Sequence, residues 1–226
     1  MATSGTTAFT LDLAEIVDEA FERCGHEVRS GYDLKTARRS LNLLLADWAN
    51  RGINLWTVDQ GTVPLVAGTA TYALPGDTVD LIEHVIRTGT GVTQADLALP
   101  RVSVSTYATL PNKTLEGRPN QAYIDRQRDA PTITLWPVPD DSQPYTLVYW
   151  RLRRLEDAGA GVSTQDVPFR FINCLVAGLT YYLALKLPGG MERLVVLKQQ
   201  YDEAWQAAAD EDREKAPIRL VPRSMV

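Results

Sequence analysis

The chain has 226 residues, with 23 Lys and Arg against 28 Asp and Glu, a formal net charge of −5. Apolar residues make up 45% and charged residues 23%, which excludes a disordered polyelectrolyte and leaves a globular chain long enough for one or two buried cores. No apolar run approaches the roughly 18–20 residues of a membrane span, and an acidic total opposes tight general binding to nucleic acid, which rests on Lys and Arg at phosphates.

In chain order, the opening residues carry no basic or long apolar stretch, so no signal peptide is expected. From Leu11 to about Gly25, Leu13, Ile16, Val17, Ala20, Phe21 and Cys24 recur at helical spacing. Asp12 and Glu15 resemble a capping box, and Gly25 is a stop. A second helix follows Ser30, with Leu34, Ala37, Leu41, Leu44, Leu45 and Trp48 as its stripe and Gly52 as its end. Arg38, Arg39, Asn42, Asp47 and Arg51 fall away from most of that stripe and read as a solvated face. Beyond Gly52 the period becomes two. Strands are expected at 53–60, 61–75 around a Gly-containing turn, 79–87, 120–126, 132–136 and 145–152, with Gly89–Gly91 as a turn and 102–110 as a short helix or loop. In the segment Tyr145–Arg154 both faces begin apolar and end basic. The expectation is an exit strand that leaves the sheet at its arginines, helped by Glu156 and Asp157.

Residues 158–164 read as a flexible connector. Asp166 is the candidate N-cap of a third helix running to about Leu187 and apolar almost all round, which suits a bundle centre. A last helix starts near Met191 with the stripe Leu194, Leu197, Tyr201, Ala204, Trp205 and Ala208. It ends in the charged run Asp210–Lys215. The fold class is therefore α+β: an antiparallel bundle of four main helices, from residues 9–52 and 166–216, with a β-rich, sandwich- or barrel-like insertion at 53–155. Residues 217–226 form an extended tail.

The chemistry inventory is small. Cys24 and Cys174 lie in apolar stripes and read as reduced, buried thiols. His26 and His84 belong to no ligand-spaced cluster, so no metal site, catalytic site or cofactor is expected. Asn112-Lys113-Thr114 matches a glycosylation sequon, an accidental match in an unsecreted chain. The polar face of the last helix carries Glu203, Asp210, Glu211 and Glu214. In the tail, Ile218, Leu220 and Val221 are apolar between Pro217 and Pro222, and Arg219 and Arg223 suit carboxylates of a partner, so these five residues are a candidate docking segment.

The order of Arg39–Trp56, Gly68–Pro75, Pro131–Pro139, Tyr149–Leu152 and Val167-Pro168 resembles the head-to-tail adaptor family of short-tailed phages, which includes tail tubular A and packaged-DNA stabilisation proteins. The resemblance covers residues 10–216. It implies a non-enzymatic virion protein at the head–tail junction, assembled in the host cytoplasm. It further implies a homo-oligomeric ring, typically a dodecamer, beneath the portal protein. Such a ring extends the channel for double-stranded DNA, helps retain packaged DNA and offers a platform to the tail nozzle or tube protein. On this resemblance Glu203, Asp210, Glu211 and Glu214 are the candidate lining of the channel, and Ile218, Arg219, Leu220, Val221 and Arg223 the candidate contact to the portal or a neighbouring subunit. The alternatives from the residues themselves are a carboxylate-dependent hydrolase, for example one degrading cell wall, and a monomeric binding module.

Overall fold

The computed structural model describes residues 5–7, 9, 11–52 and 55–213, and the chain divides into two compact units, residues 57–154 and the remainder. The tail residues Ile218, Arg219, Leu220, Val221 and Arg223, and Glu214, lie outside the described residues.

In the first unit, helix α1 spans Leu13–Cys24 and α2 spans Gly31–Trp48. The α1 entry is a full capping box: Asp12 Oδ1 accepts from the Glu15 amide and Glu15 Oε2 accepts from the Asp12 amide, both at 2.9 Å. Gly25 closes it in the left-handed region at φ +79°, where a side chain is disfavoured. Helix α2 opens on a second box between Ser30 and Asp33, and its Asp33 carboxyl is held low chiefly by the Arg29 amide, then by Ser30. It ends at Trp48, one turn before the Gly52 expected from sequence.

Helix α4 spans Phe169–Ala184 and α5 spans Leu194–Glu211. Helix α4 packs against α1, α2 and α5. Its Gly178 makes the approach possible: a methyl group there would lie 2.8 Å from Leu44 and 2.9 Å from Tyr201. The core runs through Leu13, Ile16, Leu41, Leu44, Phe171, Leu175 and Leu179 and includes fully buried Trp48. The Trp48 indole donates to the Tyr201 hydroxyl at 2.8 Å and rests 5.1 Å from the Trp205 ring. That hydrogen bond removes the cost of burying two polar atoms.

Three expectations fail in this unit. Asp166 does not cap α4. Pro168 holds the N-cap position, while the Asp166 carboxylate accepts from the Glu156 amide and its carbonyl from the Trp56 indole. Helix α4 stops at Ala184, before Leu187, and α5 starts at Leu194 after a 3-10 turn at Gly190–Glu192. Residues 158–164 are not a loose connector. Ala158 is fully buried and its amide donates to Asn42 Oδ1 at 2.8 Å, which also takes Asn42 off the solvated face. The carbonyls of Ser163 and Gly161 accept from the Leu13 and Ala14 amides at 3.0 Å. Those are first-turn donors that a helix leaves without internal partners, so a sequence-distant loop completes the cap of α1. Within the charged run that ends α5, Asp212 is buried.

The second unit holds eight strands and one short helix. They are β1 (Val58–Pro64), β2 (Thr71–Ala73), β3 (Thr78–Thr88), β4 (Ala95–Ala98), β5 (Arg101–Val102), α3 (Val104–Ala108), β6 (Gln121–Asp125), β7 (Thr132–Trp136) and β8 (Tyr145–Arg153). Two four-stranded sheets form, ordered β1-β8-β3-β4 and β2-β7-β6-β5, and there is no closed barrel among the described residues. The pairs are antiparallel except β5 with β6. Both sheets feed one core, with Leu81, Ile86, Leu147 and Tyr149 from the first and Tyr72, Ile124, Ile133 and Leu135 from the second. Strands β1 and β2, adjacent in sequence, lie in different sheets.

Two expectations change here. The strand expected from residue 53 begins at Val58, after a 3-10 turn at Leu55–Thr57. Strand β8 does not leave the sheet at its arginines: Arg151 still pairs with Asp59 and Leu81, and Arg153 with Thr78. Carboxylates of neighbouring elements make this tolerable. Arg151, only 13% exposed, reaches Asp77 at 2.6 Å and Asp59 at 3.3 Å. Glu156 and Asp157 are not its partners in these contacts. The Arg151 hydrogen bond and charge hold the Asp77 carboxyl below its usual range.

Candidate functional site

The carboxylates proposed as a channel lining project from α5. Glu203, Asp210 and Glu211 are all exposed. At about 100° per residue, a step of seven brings Asp210 back to within about 20° of Glu203, while Glu211 points about 80° away from it. Two of them are tied along their own helix: Glu203 accepts from Gln199 at 2.8 Å, and Asp210 accepts from Gln206 at 2.9 Å and meets Arg213 at 2.6 Å. These contacts hold both side chains along the helix surface; the charge of Glu203 is left unpaired by its neutral donor, while that of Asp210 is offset by Arg213.

Glu203 also borders an open cleft of about 540 Å³, lined by Arg23, Asn173, Ala177, Gln200, Glu203 and Ala204. Arg23 in that cleft is committed to Glu19 at 2.7 Å. The cleft therefore holds one paired cation and one carboxylate, with neither a nucleophile–base pair nor a ligand set. Asp212, the residue after Glu211 and the C-cap of α5, differs in kind. It is buried, forms an ion pair with Arg170 of α4, and accepts from the Leu55 amide at 3.1 Å. It is a structural tie.

The remaining reactive groups are two thiols and two imidazoles. Burial pushes the Cys24 thiol up to about 11 and the Cys174 thiol up to about 12, so both stay protonated near neutral pH and neither is a nucleophile. Both are free and buried. The His26 ring contacts the Pro188 carbonyl at 3.0 Å. His84 is buried on β3, and neither of its ring nitrogens has a hydrogen-bond partner among the described residues. Among the described residues no group of three or more His, Cys, Asp or Glu is placed to hold a metal, and no helix is long and apolar enough to cross a membrane.

Arg38 and Arg39 lie on the solvated face that the sequence leads one to expect. Together with Lys35 they lie exposed on α2 without an ion-pair partner among the described residues, whereas many other arginines of the chain are paired. The spacing 35, 38, 39 was visible in the sequence, but the lack of partners was not.

No curated protein sequence matches the chain. A solved structure described as "Neck of empty GTA particle computed with C6 symmetry" matches at 12% identity over 84% of this chain and 85% of that one. Its TM-score of 0.27 is too low to establish a shared fold. The model of the SU10 adaptor protein family matches residues 11–221, which takes in both compact units, and the chain belongs to that family.

Proposed function

We propose that this protein is a head–tail adaptor that assembles as a ring beneath the portal of a phage virion, extends the DNA channel and carries the tail. The SU10 adaptors are structural proteins of the phage head–tail junction, and the observation that carries the reading is the family match across residues 11–221. In this reading α1, α2, α4 and α5 form one antiparallel bundle that makes the ring, typically of twelve copies, and the β-rich part serves the tail nozzle or tube protein. The carboxylates Glu203, Asp210 and Glu211 suit a channel wall, because like charge keeps duplex DNA from being gripped while it is retained or released. The protein performs no catalysis in this role and needs no cofactor.

The experiment is mass measurement by light scattering after size exclusion, alone and with the cognate portal, followed by electron microscopy of the complex. A closed ring on the portal is the expected result. A chain that stays monomeric and leaves the portal bare overturns the reading. For the tail, deletion of residues 217–226 leaves thermal unfolding unchanged and weakens assembly onto the portal. A truncated chain that assembles as well as the full one removes the tail from the contact.

A further inference from the structure

Helices α1 and α2 present opposite charge outward. On α1, Asp18 and Glu22 are exposed and have no ion-pair partner among the described residues. Their neighbours are already engaged, since Glu15 completes the capping box and Glu19 holds Arg23. On α2, Lys35, Arg38 and Arg39 are exposed and equally unpaired, flanked along the helix by exposed Tyr32 at 71% and Leu43 at 56%. Several other cations of the first unit pair locally, as in Arg51 with Asp47 and Lys198 with Asp202. The two unpaired stripes stand out against that habit.

The spacings also match. Asp18 and Glu22 are four residues apart, as are Lys35 and Arg39, so each pair of charges is separated by roughly 6 Å along its helix. Two helices laid side by side can satisfy both pairs together. Leu43 and Tyr32 add apolar surface at either end, which a protein surface buries and a phosphate backbone does not use.

We propose that the basic stripe of α2 docks on the acidic stripe of α1 of the next copy of this chain. This deepens the ring reading above and rests on it, because it names the surfaces through which successive subunits meet. The occupant is a second copy because both halves of the contact are carried by one chain. A head-to-tail contact of this kind leaves one free stripe of each sign at the ends of any short oligomer, and it ends only by closing into a ring. Complementary charge sets the register and speeds encounter, and makes assembly sensitive to salt.

The test uses two full-length variants, K35E/R39E and D18K/E22K. All four positions are exposed, so each variant is first checked for unchanged thermal unfolding. Assembly is then followed by native mass spectrometry, alone and on the cognate portal. Each variant alone is expected to assemble on the order of 100-fold more weakly than the wild type. An equimolar mixture is expected to recover rings in which the two variants alternate, since every contact in such a ring again joins opposite charges. Variants that form rings as readily as the wild type overturn these surfaces while leaving the ring reading intact. A wild type that forms no ring in either setting defeats the ring reading itself. A wild-type product of only two copies overturns the head-to-tail contact. Variants that assemble normally but lose affinity for duplex DNA assign the α2 cations to nucleic acid and overturn the proposal.

Discussion

The ring of Tyr149 occupies the space that any side chain at residue 61 would need: a methyl group on Gly61 would lie 2.3 Å from Tyr149 Cζ and 2.5 Å from its hydroxyl oxygen. The two residues face each other across the β1–β8 pair, and Tyr149 is buried in the core of the β unit. Gly61→Ala is therefore expected to destabilise that unit by about 1–3 kcal/mol, the usual cost of overpacking. Pairing it with Tyr149→Val should give a combined loss smaller than the sum of the single losses, because the clash disappears with the ring. Denaturant unfolding of the four chains measures this, and strict additivity would refute it.

The Arg170–Asp212 pair gives a second expectation. Asp212 has a side chain only 6% exposed, whereas that of Arg170 is 29% exposed. Arg170→Met leaves a carboxylate with one amide donor in a buried site, and should cost about 2 kcal/mol, reduced from the value for a fully enclosed pair because water reaches the arginine side. Asp212→Asn keeps an acceptor for the Leu55 amide and should cost less. Equal losses in chemical denaturation would contradict the assignment of the buried charge as the sensitive partner.

His84 links the β unit to acid. Burial lowers its pKa first, and the Arg101 charge lowers it further against a smaller opposing effect of Asp80. A depressed folded-state pKa means that the unfolded chain takes up the proton more readily. The stabilising contribution is therefore present above the unfolded value near 6.5 and is lost as pH falls through the folded value. Melting curves between pH 7.5 and roughly pH 5 should show this loss. His84→Leu should flatten that part of the profile and raise stability at neutral pH, since it removes two buried nitrogens that have no partner. An unchanged slope in the variant would place the acid sensitivity elsewhere.

The thiols act at the other end of the scale. Burial raises Cys24 to about 11 and Cys174 to about 12 from the ordinary 9.0. Their contribution to stability is full below pH 9 and is lost as pH rises through the folded values. Thiol reagents at pH 8 should leave the native protein unmodified and label both residues only when it unfolds. Rapid labelling of either cysteine in the native state would contradict this.

Helical periodicity and capping were legible in the sequence. The stripe from Leu13 to Cys24, the box of Asp12 and Glu15 and the stop at Gly25 are local, and local signals specify them fully. The exposed strand Ala95–Ala98 was not foreseen, because all four residues are solvated and carry no alternation. Strand β8 was read as leaving the sheet because its arginines look solvated from sequence, whereas Asp59 and Asp77 meet Arg151 from other elements. Asp166 has the residue type of an N-cap, yet the Glu156 amide takes its carboxylate. The carboxylates of α5 were legible in the sequence, while the burial of Asp212 against Arg170 is a tertiary fact. For Asp212 and for Arg151 of β8 the deciding partners lie far along the chain, whereas Glu156 is ten residues from Asp166 and Ala95–Ala98 pairs with the preceding strand β3.

The cap that residues 158–164 place on α1 also sets an order of events during synthesis. Leu13 leaves the ribosome about 150 residues before Ser163, an interval of roughly 8–30 s at ordinary elongation rates. Helix α4, against which α1, α2 and α5 pack, emerges later still. The residues of the β unit are complete by then, so that unit can fold while the N-terminal helices still wait for their partners. Chaperones would meet the apolar faces of α1 and α2 during that interval, and a nascent chain arrested before Phe169 should expose Trp48 to quenchers that the finished protein excludes.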